Sequence, residues 1–197
     1  IYDIGCGHGQ WTQRCIKYFP NSKYHLFDAN NNNLKKLSLL KKNNTNLDYK
    51  ICLLSDDYSS YDFFNMGYGS SIFEEQTSFD RYVEKLTSTT LYNEISPDCK
   101  LYSNNLIKLD VQGSEIKILK GLKEFISLFE VIILEVSLHS YNKNSPLFDE
   151  VMIFMNDNNY KLYDIYDLKR LGNDKSFLLQ FDCVFAKKDS NLFNVKF

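Results

Sequence analysis

The chain has 197 residues, of which 44% are hydrophobic and 24% are charged, and this balance excludes a disordered chain. The net charge of −2 excludes the basic footprint of a nucleic-acid-binding protein, so we expect no nucleic-acid partner. No apolar run reaches the ~20 residues of a membrane span, so no span is predicted. The sequence starts inside a strand-like segment without an initiator Met. We interpret residues 1–197 as a single domain that lacks its natural N-terminus.

The five cysteines are odd in number and form no Cys-x-x-Cys pair, which is atypical of a disulfide framework or a zinc site. We predict that they are reduced residues of a cytoplasmic protein, since disulfides are rare in that compartment. The histidines and carboxylates show no metal-ligand spacing either, so we expect no metal.

Strand and helix patterns alternate along the chain. In order, we predict a strand over 1–4, a helix over 10–18, a strand over 23–27, a helix over 33–43 and a strand over 49–54. An irregular loop with short strand and helix pieces follows over 58–90, and then a short helical segment over 91–95. The next predicted elements are a strand over 106–111, a helix over 114–129, a strand over 131–136 and a helix over 146–157. Two strands over 160–167 and 177–186, joined by a turn at 172–174, are expected to pair as an antiparallel hairpin at the sheet edge. The alternation predicts a parallel, doubly wound α/β sheet with right-handed crossovers.

The segment that joins the first strand to the first helix is rich in glycine. It reads Asp3-x-Gly5-x-Gly7-x-Gly9, with Cys6 between the first two glycines. Glycines permit a sharp turn and a close approach of the backbone to a ligand. The helix that follows points its free N–H groups towards that ligand. Because ligands bind at the carboxyl ends of parallel strands, we predict that all five of these residues belong to a nucleotide-cofactor site.

Two kinds of cofactor compete for this loop. A dinucleotide site has the pattern Gly-x-Gly-x-x-Gly, whose third glycine would stand at Gln10. Asp3 would oppose a pyrophosphate, whereas it suits the cationic groups of S-adenosylmethionine. We therefore predict an S-adenosylmethionine-dependent methyltransferase with a Rossmann-like class I fold, whose seven-stranded, mostly parallel sheet ends in an antiparallel hairpin. An NAD-dependent oxidoreductase and a cofactor-binding domain that has lost catalysis are the alternatives.

Acidic and polar residues end the next two strands. Asp28 lies about twenty residues beyond the glycine loop, where a carboxylate accepts hydrogen bonds from both hydroxyls of an unphosphorylated ribose. We predict that Asp28 and Ala29 bind the ribose and that Ser55 and Asp56 lie beside the adenine. The alternative for Asp28 is an ordinary strand-end aspartate. The asparagine run over 30–33 is interpreted as compositional bias without a chemical role.

Two segments near the fourth and fifth strands resemble the signature of the FkbM-type methyltransferases. They are IKLDVQGSEIKILKGL over 107–122 and VIILEVS over 131–137. The segments IYDIGCGHGQWT, LFDAN, ICLLSDD and FDCVFAKK are similar to other parts of that family, in the same order. The chain departs from the family at Cys6-Gly7, where Ala-Asn is usual, and at Asp28, where Glu is usual. The resemblance implies S-adenosylmethionine as cofactor and O-methylation of a small-molecule or glycan acceptor, such as a sugar, a glycolipid or a polyketide-type product.

A hydroxyl group is a poor nucleophile until it loses its proton, so O-methylation needs a general base or a metal. Three catalytic candidates lie at the carboxyl ends of the fourth and fifth strands. Asp110 ends the fourth strand, where it could also contact the methionine part of the cofactor or cap the next helix. Glu135 ends the fifth strand and needs a partner if it is buried, for which Lys108 is the candidate. His139 follows, and its near-neutral reference pKa suits a general base.

Overall fold

The computed structural model describes residues 1–95 and 104–194. Cys99, one of the cysteines predicted to be reduced, lies outside the described residues. The other four cysteines, Cys6, Cys15, Cys52 and Cys183, are free thiols.

Ten strands and five α-helices form within the described residues. The strands are β1 (Tyr2–Ile4), β2 (Tyr24–Asp28), β3 (Leu47–Ile51), β4 (Leu53–Ser55), β5 (Ser60–Asn65), β6 (Tyr82–Thr90), β7 (Asn105–Leu109), β8 (Phe129–Ser137), β9 (Tyr160–Leu171) and β10 (Phe177–Lys187). The helices are α1 (Gln10–Tyr18), α2 (Leu34–Lys42), α3 (Leu91–Glu94), α4 (Glu115–Lys120) and α5 (Phe148–Asp157). Short 3-10 turns cover Asn31–Asn33, Gly67–Gly69, Lys123–Leu128 and Asn191–Phe193.

The main sheet has seven strands in the order β3-β2-β1-β7-β8-β10-β9. The first five of these are parallel, whereas β10 runs antiparallel to both β8 and β9. The predicted sheet and its C-terminal antiparallel hairpin are therefore confirmed. Side chains of β7 and β8 such as Ile107, Leu109, Ile132 and Leu134 are completely buried, as expected for central strands covered on both faces.

The strand order reverses at β1, which pairs with β2 on one side and with β7 on the other. The chain first winds outward from β1 to β3 and then returns to place β7 and β8 on the opposite side. In an open parallel sheet, such a switch point leaves a crevice at the carboxyl ends of the strands. The glycine loop after β1 and the turn after β7 therefore meet at the same place.

The stretch predicted as an irregular loop over 58–90 is more regular than expected. It contains β5 and β6, which form a second, three-stranded sheet with β4 in the order β4-β6-β5. The strand predicted over 49–54 is also two strands, because the chain leaves the main sheet at Cys52 and enters the small sheet at Leu53. Phe63 of β5 is buried, so the small sheet contributes its own apolar contact.

The helix predicted over 114–129 is shorter than expected, since α4 ends at Lys120. Lys123 has a φ of +53°, which a right-handed helix does not accommodate, and a 3-10 turn replaces the rest of the helix. The helix predicted from residue 146 begins at Phe148, where the Glu150 carboxylate accepts a hydrogen bond from the Leu147 N–H at 2.9 Å.

Candidate functional site

A cavity of about 1060 Å³ lies at the carboxyl ends of β1, β2 and β7. Its wall includes the glycine loop through Gly5 and Gly7 and the end of β2 through Asp28. The small sheet contributes Phe63 and Tyr82. The cavity therefore occupies the crevice that the strand order predicts.

The conformation of the glycine loop is fixed by packing against neighbouring parts of the protein. A Cβ atom on Gly5, whose φ is +74°, would lie 2.0 Å from the carbonyl oxygen of Asp110. A Cβ atom on Gly9, whose φ is +75°, would lie 2.4 Å from Cδ2 of Leu40. Gly9 is not a cavity-lining residue. Both glycines are thus required for close packing of the loop, against the turn after β7 and against α2.

Asp3, which lies in β1, and Cys6, which lies within the loop, do not line the cavity. Asp3 is 1% exposed, and its Oδ2 atom accepts a hydrogen bond from the Thr12 hydroxyl at 2.6 Å. Burial raises the pKa of Asp3 to about 6, with Lys108 opposing the rise. The structure therefore gives Asp3 a contact that joins β1 to α1, whereas the sequence predicted a contact with the cofactor.

Asp28 lines the cavity together with Ala29, at the position predicted for the ribose. Its Oδ2 atom accepts a hydrogen bond from the Gly7 N–H at 2.7 Å. Its Oδ1 atom accepts from the Asn30 N–H at 2.8 Å and from Nδ2 of Asn33 at 2.9 Å. Burial raises the pKa of Asp28, and these three donors oppose the rise by stabilising the carboxylate. The carboxylate thereby connects the glycine loop to the end of β2.

The asparagine run after β2 has contacts that the sequence interpretation did not assign to it. Nδ2 of Asn30 donates to Oδ1 of Asn65 on β5 at 3.0 Å. Asn65 in turn donates to the Tyr82 hydroxyl at 2.6 Å, and Asn32 donates to the same hydroxyl at 3.2 Å. These amides connect the loop beside Asp28 to the small sheet. The position directly after a strand end is the signal that could have indicated this role.

Ser55 and Asp56, predicted to lie beside the adenine, do not line the cavity. The Ser55 hydroxyl donates to Oδ1 of Asp56 at 3.0 Å, and Asp56 forms an ion pair with Lys117 at 3.3 Å. Leu53 and Leu54 line the cavity instead. The chain departs from the main sheet at Cys52, so the strand end falls earlier than the sequence suggests.

A cluster of polar side chains forms the other end of the cavity. Lys108 contacts Asp110 at 2.8 Å rather than Glu135, so the predicted Lys108–Glu135 pair is wrong. Glu135 instead pairs with Lys169 on β9 and accepts hydrogen bonds from the side-chain amides of Gln112 and Gln180. The Gln112 amide also donates to Asp110 at 3.3 Å. The register of the strands explains this outcome. Strand β7 is flanked by β1 and β8, and Lys108 of β7 lies opposite Ile133 of β8. Glu135 lies two residues further along β8, so it is not directly across from Lys108.

The ionisation of this cluster follows from its burial and its charges. Burial and then Asp110 raise the pKa of Glu135 to about 8, with Lys169 opposing the rise. Burial would also raise the pKa of Asp110, but the ammonium group of Lys108 holds that pKa below its usual range. Asp110 is therefore held as a carboxylate, whereas Glu135 holds its proton to a higher pH than an ordinary glutamate.

His139, the third catalytic candidate, does not line the cavity. Its ring stacks on Phe177 of the hairpin, with 4.3 Å between the ring centroids. The structure therefore brings Asp110 into the cavity wall and Glu135 directly behind that wall, and leaves His139 outside.

Four polar residues of this end were missed by the sequence analysis, namely Gln112, Tyr141, Lys169 and Gln180. The Tyr141 hydroxyl donates to Oε1 of Gln112 at 2.6 Å, and Nε2 of Gln180 donates to Glu135 at 3.2 Å. Gln112 lies inside the KLDVQGSE segment and has a φ of +55°, an uncommon value that a strand-end turn produces. Lys169 and Gln180 come from the hairpin, where no motif marks them.

Within residues 1–95 and 104–194, no group of three or more His, Cys, Asp and Glu side chains is placed to hold a metal ion. Over the same residues, no helix is long and apolar enough to cross a membrane. The cytoplasmic location stays a prediction.

The seven-stranded sheet, with β10 antiparallel between β8 and β9 and a cavity at its switch point, has the Rossmann-like class I fold that solved methyltransferases share. The chain belongs to the Methyltransferase FkbM domain family, whose model matches residues 3–162. This match confirms the resemblance seen in the sequence. A comparison with curated proteins gives no match.

Several solved structures share this fold. Methyltransferase FkbM from Methylobacillus flagellatus KT is 16% identical with a TM-score of 0.57, over 94% of this chain and 42% of that chain. TrmK of M. capricolum, solved with S-adenosylhomocysteine, is 10% identical with a TM-score of 0.53, over 94% of this chain and 61% of that chain. WbdD is 11% identical with a TM-score of 0.52, over 98% of this chain and 36% of that chain. The present chain thus spans less than half the length of the FkbM structure.

Proposed function

We propose that this chain is an S-adenosylmethionine-dependent methyltransferase that transfers a methyl group to a hydroxyl of a small molecule or glycan. A sugar or glycolipid is the favoured acceptor class. The observation that carries the proposal is the Asp28 carboxylate, which lies in the cavity wall next to Gly7 of the glycine loop in a chain of the FkbM family. We also propose that residues 1–197 act as one domain.

The residues of the cavity suit this cofactor. Each carboxylate oxygen has more than one acceptor site, so Asp28 keeps capacity for ribose hydroxyls beyond its three protein donors. Leu53, Leu54 and Ile118 supply an apolar wall for a base. The Asp110 carboxylate, ionised beside Lys108, suits the cationic amino group of the methionine part. The solved complex of TrmK with S-adenosylhomocysteine supports the same kind of cofactor in this fold.

The cofactor supplies an activated methyl group, and the protein aligns the acceptor with it. The polar end of the cavity, with Gln112, Tyr141 and Gln180, offers hydrogen bonds to a hydroxylated acceptor. Asp110 and Glu135 remain the proposed catalytic carboxylates. Since His139 does not line the cavity, it contributes less to the proposal than the sequence suggested.

An NAD-dependent oxidoreductase is the weaker alternative. Asp28 would serve the ribose of NAD equally well, but the loop has Gln10 where a dinucleotide site has its third glycine. The buried Asp3 of β1 would also oppose a pyrophosphate when ionised. A domain that binds the cofactor without catalysis is distinguished from the main proposal only by turnover.

Calorimetric titration with S-adenosylhomocysteine tests the proposed cofactor site. We expect Asp28→Asn to raise the Kd about 10- to 100-fold, because hydrogen bonds to a charged group contribute about 1.5–3 kcal/mol each. Asp48→Asn is the matched control, since Asp48 is exposed and forms a surface pair with Lys41. Equal affinity of the wild type and the Asp28 variant would contradict the proposed site, and binding of NAD alone would favour the oxidoreductase.

Transfer of a labelled methyl group to a panel of sugars, glycolipids and simple alcohols tests the acceptor class. We expect the wild type to produce a labelled ether with at least one hydroxylated acceptor. Binding of S-adenosylhomocysteine without transfer to any of them would favour the domain that has lost catalysis.

A further inference from the structure

Lys169 connects the cavity to a carboxylate behind its wall. It lies on β9, lines the cavity and has a side chain that is 41% exposed. Its Nζ atom forms an ion pair with Oε1 of Glu135, whose side chain is only 1% exposed. The pair therefore has one member in the cavity and one member outside it.

The other oxygen of Glu135 is occupied as well. Nε2 of Gln112 and Nε2 of Gln180 both donate to Oε2, the latter at 3.2 Å. Gln112 and Gln180 line the cavity and stand in front of the carboxylate, together with Lys169. An acceptor hydroxyl in the cavity thus reaches Lys169, Gln112 and Gln180 but has no direct approach to Glu135, and of these three side chains only the Lys169 amine can take up a proton.

The charged and titratable groups around the pair come from each neighbouring element. They are Lys108 and Asp110 from β7 and its turn, Glu115 from α4, Tyr141 after β8 and Asp182 from β10. Carboxylates are in the majority here, so an added proton is stabilised. Burial first and Asp110 second raise the pKa of Glu135 to about 8, which suits a group that accepts a proton near neutral pH and releases it again.

We propose that Lys169 is the catalytic residue that takes the proton of the acceptor hydroxyl, and that Glu135 positions Lys169 and receives a proton from it. This inference rests on the proposed O-methyltransferase function. It also changes the predicted role of Glu135, which acts through Lys169 rather than on the acceptor.

One proton of the Lys169 ammonium group moves to Oε1 of Glu135, which leaves a neutral amine facing the cavity and a neutral carboxyl group behind it. The amine nitrogen takes the proton of the acceptor hydroxyl, and the acceptor oxygen forms a C–O bond to the methyl group. The C–S bond of the methyl group breaks at the same time, and its electron pair stays on sulfur. Lys169 is then an ammonium group again, and its exposed side chain releases one proton to solvent. The proton on Glu135 moves back to the Lys169 amine, which restores the original ion pair.

This sequence has a defined pH dependence. Glu135 must be ionised before each turnover, so the reaction rate is low below the pKa of Glu135 and rises with pH through a midpoint near 8. Burial by itself lowers the pKa of Lys169, and the Glu135 carboxylate reverses that effect. Asp110 and Asp182 also raise the pKa of Lys169, but protonation of Glu135 removes the largest of these effects, so the ammonium group then loses its proton more readily.

The test compares Lys169→Met, Lys169→Arg and Glu135→Gln with the wild type. The control is Lys175→Met, because the Lys175 side chain is exposed on the hairpin turn. Calorimetry with S-adenosylhomocysteine checks that each variant retains its cofactor site. Methyl transfer is then measured from pH 6 to pH 10 with an acceptor found in the panel. We expect about a 100-fold loss of the rate for Lys169→Met and for Lys169→Arg, the lower end of the usual general-base contribution. A further variant, Lys169→Ala, should lose activity to the same extent and recover it with added methylamine, which replaces the missing amine. Lys175→Met retains full activity.

A second measurement needs no acceptor. In protein labelled with ¹³C-lysine, the Cε resonance of Lys169 is assigned by its loss in Lys169→Arg. We expect this resonance to shift with a midpoint near pH 8, where Glu135 ionises, and the shift to be absent in Glu135→Gln.

The outcomes separate this inference from the proposed function. A wild type that does not bind S-adenosylhomocysteine overturns the proposed function. A wild type that binds it and transfers the methyl group, with Lys169→Met within threefold of its rate and an unchanged pH profile, overturns only the role of Lys169. A Lys169 resonance that does not sense Glu135 overturns the proton transfer between them, whatever the activity.

Discussion

Gly5 and Gly67 have almost the same positive φ angle but different surroundings. Their φ angles are +74° and +72°. A Cβ atom on Gly5 would lie 2.0 Å from the Asp110 carbonyl oxygen, whereas a Cβ atom on Gly67 would have no neighbour within 4 Å. The two positions therefore separate the cost of a left-handed backbone from the cost of a steric clash. We expect Gly67→Ala to lower the free energy of unfolding by about 1 kcal/mol, the usual cost of this conformation for an L-residue.

We expect Gly5→Ala to lower the free energy of unfolding by at least about 2 kcal/mol more, because overpacking adds to the conformational cost. Urea denaturation of the two variants and the wild type gives both values. Equal losses in the two variants would mean that the loop moves away from Asp110 without cost, and that Gly5 is not required by packing.

At the residue scale, the sequence predicted some contacts because they depend on position in a motif. Asp28 could be placed in the cavity from its distance to the glycine loop and its position at a strand end. The partners of the same carboxylate were harder to predict, because amide groups carry no distinctive pattern. Asn30 contacts Asn65, 35 residues away in the sequence, and no local pattern contains that information.

The small sheet is connected to the cofactor side of the cavity through Asn65. This side chain is 4% exposed, accepts from Asn30 and donates to the Tyr82 hydroxyl of β6. Replacing it with alanine leaves buried polar partners unsatisfied, which costs about 1–3 kcal/mol. We expect Asn65→Ala to speed amide hydrogen exchange in β5 and β6 and to raise the Kd for S-adenosylhomocysteine severalfold.

Asp62→Asn is the matched control for this prediction. Asp62 lies on the same strand, but its side chain is 53% exposed and pairs with Lys85 on the surface. Exchange in β5 and β6 should therefore stay unchanged in the control. If both variants exchange like the wild type, the amide contacts do not hold the small sheet in place.

At the element scale, the alternation of strands and helices was sufficient to predict the main sheet. Parallel strands buried on both faces give long apolar runs, and such runs are easily recognised in the sequence. The small sheet was missed because β6 pairs with β4, and Leu53 lies opposite Ser88, far away in sequence. Lys169 was missed for a related reason. It lies on the edge strand β9, where a polar residue is expected to face solvent. Only the pairing of β9 with β10 reveals the contact of Lys169 with Glu135.

The molecule as a whole concentrates buried carboxylates around the carboxyl ends of its central strands. Glu115 lies at the start of α4, and its Oε1 atom accepts hydrogen bonds from the Val111 N–H at 3.0 Å and the Gly113 N–H at 3.3 Å. Burial nevertheless raises the pKa of Glu115 from 4.5 to about 7, with these hydrogen bonds opposing the rise. The folded protein therefore holds a proton on Glu115 at pH values where the unfolded chain has lost it.

This difference makes the stability of the fold depend on pH. A carboxyl group whose pKa is higher in the folded state stabilises that state fully below its unfolded pKa, and the contribution is lost as the pH rises through the folded pKa. The free energy of unfolding should thus fall between pH 5 and pH 8. Each unit of pKa difference corresponds to about 1.4 kcal/mol, so we expect Glu115 to account for roughly 2 kcal/mol of that fall.

Glu115→Gln isolates this contribution, because its amide oxygen accepts the same two backbone hydrogen bonds and does not ionise. Relative to the wild type, we expect the variant to become more stable as the pH rises, by roughly 2 kcal/mol between pH 5 and pH 8. Chemical denaturation at the two pH values measures the difference. Parallel stability curves for the two proteins would mean that Glu115 has the same pKa in the folded and unfolded states, and that the buried carboxylates at this end of the sheet are better solvated than their burial implies.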